Sequence, residues 1–497
     1  MANHPLGGID FFALAHLLDS VRPGAWKFFS NQILTALPVF RDHLLSIDVL
    51  GRSPAAHSLN RRGLADAIRC LRSGGIIGLF PAGRVAHRHR DLGGALADRA
   101  WSEHAVRLAA KTGAAVACLH ISGQNSPFFL RLPPTWPRLR ALMLCREFTR
   151  PVVTKIQLQL AFLGKVEDMG VPLPQATAWL HARCHLQADL ADAARPQPGL
   201  EKPQSPVSLP PTNNLPGELK RDPAAHLASH GSFDLFFLAG REVPETLQAL
   251  GRAREHTFRT AGQGTGQAVD LAPEDTHYHH LILWDRKGQQ LAGAYRVGLV
   301  SEILAKKGAG GLYLHHVFHL RPALFRAMGE TLELSRSFVL PAYQRESDAL
   351  AALWKGLGAV ATARKAKTFF GSVTISNAHH PASRAILVDH LRRNYGDDPT
   401  LCRLVRPRRP LIPPSHYHSL FSDAYAGQPV AALAPLIDEI EQGKRGIPPL
   451  IRYYCGIGAK FLGFHVEAAF QDALYCLLRV DIPSIPPAYR RRFMPRG

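Results

Sequence analysis

His4 and Asp10 close the run His4-Pro5-Leu6-Gly7-Gly8-Ile9-Asp10, a spacing that lets a carboxylate reach an imidazole across one tight turn. Such a pair makes a general base, because the carboxylate fixes the imidazole tautomer and stabilises the imidazolium once a hydroxyl proton has been taken. Asp10 equally suits the first turn of a helix, as a cap for free backbone N–H groups, and spacing alone leaves both roles open. Further on, Phe80-Pro81-Ala82-Gly83-Arg84 follows the apolar run 75–80. A turn at a strand end that offers Gly83 for close backbone approach and Arg84 as a bidentate guanidinium suits an anion such as a phosphate. Gly123-Gln124-Asn125-Ser126 follows the next apolar run and adds Asn125 to the candidates. A second chemical set lies far along the chain: Asp285, Arg296, and Glu333 with Arg336 three positions later. Glu333 and Arg336 would also serve as a structural ion pair.

These residues need elements to hold them. Phe11, Leu14, Leu17 and Leu18 keep helical spacing after Asp10, so His4 precedes a helix. Residues 75–80 and 115–121 read as buried strands, with a helix through Trp101, Ala105, Leu108 and Ala109 ending at Gly113. Strand, helix, strand predicts an α/β fold with a largely parallel sheet over residues 1–193. Residues 194–225 are rich in proline and polar residues and read as a linker. Residues 226–497 read as an α+β domain with a mixed sheet. Helices are expected at 244–259 and 345–358, and strands at 279–284, 291–297, 311–320 and 369–375. Asp285 opens a hairpin whose polar turn, 286–290, faces solvent.

The chain has 497 residues, 46% hydrophobic, enough for two or three cores, which excludes a disordered protein. No window approaches the roughly 20 apolar residues of a spanning helix, and no secretion signal is evident, so a cytoplasmic chain is expected, which the basic clusters named below would attach to the inner face of the membrane. Against 39 acidic residues stand 59 basic ones, a formal charge of +20 that points to polyanionic partners. Clusters at Arg138, Arg140 and Arg146, at Arg403, Arg406, Arg408 and Arg409, and at Arg490, Arg491 and Arg492 are interleaved with apolar side chains, as at an anionic membrane surface. No nucleic-acid module is recognised, and no nucleic-acid partner is expected. Seven scattered cysteines form no C-x-x-C pair and read as reduced thiols. His277, His279 and His280, and His315, His316 and His319, have no acidic or cysteine partner at ligand spacing, so no metal site is expected.

The N-terminal half resembles the glycerolipid acyltransferases, which carry an H-x-x-x-x-D motif and an F-P-E-G-T-R motif. The resemblance implies that His4 deprotonates an acceptor hydroxyl, that Asp10 orients it, and that Phe80, Pro81, Gly83 and Arg84 bind the acceptor's polar head. Two departures stand out. Five residues rather than four separate His4 from Asp10, and Ala82 replaces the glutamate. The H-P-x-G-G-x-D and F-P-A-G forms resemble the branch linked to ornithine and glycine lipids. Members of the family carry a strand and helices before the histidine, against three residues here, so this half is expected to lack its opening segment.

From Phe233 to about Val480 the chain resembles the carrier-protein-dependent N-acyltransferases that make lyso-ornithine lipid, with a GNAT-like fold related to acyl-homoserine-lactone synthases. The carrying runs are Gly264 to Asp270, LILWDRKGQQLAGAYRVG (281–298), LELSRSFVLPAYQ (332–344), LWKGLG (353–358) and FFGSVTIS (369–376). The resemblance implies that Arg296 and Arg336 engage the amino acid carboxylate or the donor's phosphopantetheine, that Glu333 positions or deprotonates the amine, and that Asp285 lies in the substrate region. The stretch 341–345 lacks the glycines of an acetyl-CoA pyrophosphate loop, so acyl carrier protein is the expected donor, with acyl-CoA the other option and no bound cofactor. The expected function is N-acylation of an amino acid, ornithine by the resemblance, with a 3-hydroxyacyl group, then O-acylation of that lyso-lipid. The alternatives are a chain that makes only the lyso-lipid, and a haemolysin-like membrane-active protein.

Overall fold

A computed structural model describes residues 1–30, 38–47, 54–89, 95–133, 136–149, 155–193, 215–261, 263–344, 347–412, 421 and 424–493. They form two compact units. The first comprises Met1–Pro196 together with Pro414–Ala426, and the second comprises Gln197–Pro413 and Gly427–Gly497. Segment 414–426 joins the first unit through Phe421, which is buried, and Tyr425, whose hydroxyl accepts a hydrogen bond from Trp179 Nε1 at 3.1 Å. Residues 194–214 of the expected linker lie outside the described residues.

In the first unit, strand Trp26–Ser30 lies between Leu44–Ser46 and Ile76–Gly78, all parallel. Strand Val116–Ile121 does not pair with Ile76–Gly78 as the strand–helix–strand reading implied. It runs antiparallel to Leu158–Gly164. The gap is filled by the first residues of the chain: Ala2 N donates to Leu79 O, Leu119 N donates to Met1 O at 2.9 Å, and the Asn3 side chain pairs with the backbone of Ile121. Ala2 and Leu119 form a parallel bridge. His4 therefore leaves the end of a sheet rung, and the helix Gly8–Val21 follows, its Phe11, Leu14 and Ala15 packed on Trp26, Phe28 and Ile121.

The second unit is built on eight strands in the order Lys460–Glu467, Ala473–Asp481, Thr368–Ile375, Thr331–Val339, Gln290–Leu299, His279–Asp285, Phe233–Ala239 and His226–His230. Every neighbouring pair is antiparallel except Thr331–Val339 with Thr368–Ile375. That parallel ladder runs only from Thr331 opposite Thr368 to Leu334 opposite Gly371, after which the strands part. On the other edge of Thr331–Val339 the register shifts: Ser335 faces Arg296 and Phe338 faces Ala294, so Arg336 and Ser337 share one position opposite Tyr295. This is a β-bulge, which re-aims a side chain and increases twist. Arg336 takes φ +50°, a left-handed value that costs a non-glycine residue energy.

Helix Ser347–Ala363 lies over the sheet through Ala349, Leu353, Trp354 and Leu357, and helix Pro244–Thr260 packs against strand Thr331–Val339. The expected strand 311–320 is instead a short helix, Tyr313–Val317, followed by strand Phe318–Leu320. The reason lies in capping. Tyr313 N donates to Tyr278 OH and Leu314 N to Glu333 Oε1, so side chains meet the free N–H groups of a helix start. Residues 215–225, expected as linker, carry helix Leu215–Leu219, and its buried Glu218 caps helix Pro244–Thr260. The carboxylate accepts from Glu245 N, from Thr246 N at 2.8 Å and from Thr246 Oγ1. Glu218→Ala should lower the unfolding free energy of the second unit by about 1–3 kcal/mol, read by urea denaturation. An unchanged midpoint would show that the cap contributes nothing.

Candidate active sites

The first site forms where the sheet rung 1–3 gives way to helix Gly8–Val21. His4 Nδ1 sits 2.9 Å from Asp10 Oδ2, and that same oxygen accepts Leu6 N at 2.8 Å and Gly7 N at 2.9 Å. Asp10 is fully buried and thus does both jobs that the sequence left open, capping the helix and holding the imidazole. Gly7 supports this with φ +84°, and a Cβ there would meet Leu144 at 2.8 Å. Phe80 stacks on the His4 ring at 4.0 Å and 11°. With one ring face covered and Nδ1 taken, Nε2 is the nitrogen left to receive a proton, and it has no hydrogen-bond partner among the described residues. The turn after Phe80 closes through Gly83 N to Phe80 O, with Gly83 at φ +64° and Arg84 exposed. Pro81 is buried.

Asn125 does not face this opening. It is buried, and its amide donates to Pro5 O at 2.9 Å, so it braces the loop that carries His4. Asp98, absent from the sequence candidates, accepts from His4 N at 3.2 Å and from Trp101 Nε1 at 3.0 Å. Burial pushes its carboxyl up to about 6, against the hydrogen bond from Trp101. Arg140, read as a surface cation, is buried against Phe129 and donates to Leu132 O and Ala86 O. Exposed apolar side chains, Phe12, Phe128, Trp136, Leu139, Leu142 and Phe148, surround helices Gly8–Val21 and Pro137–Phe148, with Arg146 over the Phe128 ring.

The second site lies at the bulge. Arg296 Nε donates to Ser335 Oγ at 3.0 Å and Nη1 lies 3.3 Å from Asp275 Oδ2. Arg254 grips the other Asp275 oxygen with both terminal nitrogens at 2.9 Å. Burial pushes the Asp275 carboxyl up, but Arg296 and Arg254 outweigh it and hold the group well below the usual carboxylate range. Arg336 Nε lies 3.4 Å from Asp270 Oδ2, and its guanidinium sits over the rings of Tyr313 and Phe470 at 4.8 and 4.3 Å. Glu333 does not pair with Arg336. It accepts from Leu314 N at 3.1 Å and hydrogen-bonds the Tyr278 hydroxyl, which leaves Oε2 without a partner among the described residues. Gly298 stands opposite Glu333, and a Cβ there would come within 2.6 Å of the Tyr278 ring.

The structure therefore brings Arg296, Glu333 and Arg336 together, and leaves Asp285 out. Asp285 ends its strand at the hairpin, where Lys287 N and the Tyr343 hydroxyl occupy its two oxygens. Arg254, Asp275, Tyr278, Tyr313 and Tyr475 complete the site and were missed. Arg254 carried one legible signal: it shares the buried helical stripe of Leu247, Leu250 and Gly251, where an unpaired guanidinium is not tolerated. His280 donates to Asp275 O, His277 to Gly311 O, and His316 pairs with Glu274.

Burial pushes the Glu333 carboxyl up to about 7, against the attraction of Arg296. As a candidate base Glu333 would work only ionised, so the activity that depends on it should rise as pH increases through about 7 and level off above it. Glu333→Gln should remove that limb and lower kcat by about 100-fold or more. A pH profile unchanged in the variant would assign the limb to another group.

Residues 253–355, which hold Arg254, Arg296, Glu333 and Arg336, match the acetyltransferase (GNAT) domain family. The chain is 30% identical over 272 residues to a glycine N(alpha)-acyltransferase of Bacteroides thetaiotaomicron, a match covering 52% of this chain and 80% of that protein. A second glycine N(alpha)-acyltransferase, from Phocaeicola vulgatus, is 30% identical over 273 residues, with 52% of this chain and 82% of that protein covered. A lyso-glycine lipid O-acyltransferase of P. vulgatus is 29% identical over 138 residues, 27% of this chain and 44% of that protein. With the bulged strand Thr331–Val339 inside the matched GNAT region, the chain is an acyltransferase, and it belongs to the family that includes these bacterial glycine N(alpha)-acyltransferases.

Proposed function

We propose that the second unit acylates the α-amine of a small amino acid with a 3-hydroxyacyl group carried as a thioester on acyl carrier protein. The observation that carries this reading is the parting of strands Thr331–Val339 and Thr368–Ile375 beside Arg296, Arg336 and Glu333. Strands that part leave backbone groups without ladder partners, and N–H groups among them suit a developing oxyanion. The uncharged amine attacks the thioester carbonyl, its proton passes to Glu333, the C–S bond breaks, and Glu333 returns the proton to the carrier, which leaves as a thiol with an amide formed. Arg336 or Arg296 meets the amino acid carboxylate or the pantetheine phosphate. The basic charge of the chain supports an acidic carrier protein as donor. Ornithine and glycine are the acceptors to test first; the names of the relatives favour glycine.

The first unit, in this reading, adds the second acyl group. His4 Nε2 takes the proton of the 3-hydroxyl, the oxygen attacks the carbonyl of a second acyl thioester, the C–S bond breaks, and the thiolate leaves as a thiol with the proton returned from His4, so that an ester is formed. Asp10 stabilises the imidazolium, and the turn Phe80 to Arg84 receives the polar head. The exposed Phe12, Leu142 and Phe148, with Arg146 beside them, suit a surface where apolar side chains enter an anionic membrane.

Expression in a host that lacks aminolipids, followed by lipid mass spectrometry, tests both halves. The intact chain should give a diacylated aminolipid whose head-group mass identifies the amino acid. His4→Ala should accumulate the monoacyl lyso-lipid, and Arg336→Ala should give neither. Diacylated lipid from His4→Ala would remove His4 as the base, and amide product from Arg336→Ala at the native level would remove the proposed amine site.

A further inference from the structure

Behind His4, and apart from the groups assigned to acyl transfer, three ligand-type side chains converge. Helix Leu173–Ala193 presents His181 and His185 one turn apart, a spacing that aims two imidazoles at one point. Asp98 faces them from the other side, with Oδ2 3.9 Å from His185 Nε2. One donor atom from each of the three lies within 4.8 Å of the others, and all three residues are buried. Trp101 frames the group: its ring stacks on His181 at 4.8 Å and 15°, and its Nε1 donates to Asp98 Oδ2. The other Asp98 oxygen accepts the backbone N–H of His4, as a ligating carboxylate is commonly fixed by outer hydrogen bonds. His120, buried on strand Val116–Ile121, stands with its ring centre 6.0 Å from that of His185.

We propose that Asp98, His181 and His185 form a binding site for a borderline divalent cation of the zinc type. Two imidazole nitrogens and a carboxylate oxygen are the donor set such an ion takes, and burial of both imidazoles beside a carboxylate leaves a place where one positive charge is favoured. Ligand atoms around a tetrahedral zinc stand about 3.3 Å apart, so the three side chains need to close by up to about 1.5 Å, within the reach of modest χ rotations. The ion would tie helix Leu173–Ala193 to the carboxylate that holds the His4 backbone. This inference does not rest on the acyl-transfer reading.

The test is metal content of the full chain, purified from zinc-supplemented cultures and dialysed against a weak chelator, with cobalt substitution in parallel. The expected result is about one zinc per chain, lost in His185→Gln and in His181→Gln, and kept in His316→Gln, which alters an exposed histidine. The unaltered chain grown on cobalt should show visible bands of nitrogen and oxygen ligation without a thiolate charge-transfer band. That spectrum stands even if a histidine variant fails to fold. Less than a tenth of an equivalent of metal, retention of the metal in both His181 and His185 variants, or a thiolate band from Cys118 or Cys184 would each overturn the site.

Discussion

A guanidinium taken out of water costs several kcal/mol unless carboxylates meet it, and the second unit buries three of them around one bulge. Asp275 answers Arg254 and Arg296, and Asp270 answers Arg336. Once those pairs are made, Glu333 is left without a guanidinium of its own. Burial then raises its proton affinity to a value useful near neutral pH, while Arg296 keeps ionisation within reach. The bulge at Arg336 and the parting of the parallel strands place this charge arrangement at an opening in an otherwise continuous sheet. Charge compensation and sheet geometry thus lead to the same position.

The first unit meets a related demand by different means. Its imidazole must be held on one nitrogen and open on the other, and the backbone does most of that work. Residues 1–3 fill a sheet rung, Asp10 collects two N–H groups as well as His4, and Phe80 covers a ring face. Asn125 and Asp98 act behind it by gripping backbone atoms of Pro5 and His4.

Much of this was legible in the sequence because it is local. The His4 to Asp10 turn, the helix after it, the hairpin at Asp285 and the helix from Pro244 all depend on residues within one or two turns of chain. What was not legible is non-local. Asp275 meets an arginine 21 positions before it and another 21 after it, and neither spacing has a period that a helix or strand would reveal. Segment 311–320 alternates like a strand but is capped into a helix by Tyr278 and Glu333 from elsewhere. Asp285 looked chemical because it stands beside a conspicuous hairpin, and the hairpin's Lys287 N together with the distant Tyr343 hydroxyl consume it. Asp98 sits about 80 residues from the histidines it faces, so no motif joins them.

Burial among paired guanidinium groups makes Glu333 the carboxyl that titrates near neutrality. Infrared difference spectroscopy of the protein with 13C-carboxyl glutamate, compared with Glu333→Gln across pH 5 to 9, reads that group directly. The expected result is a protonated carboxyl band, absent from the variant, that disappears with a midpoint near 7. A Glu333 band that ionises in the ordinary carboxylate range, about 4 to 4.5, would contradict it.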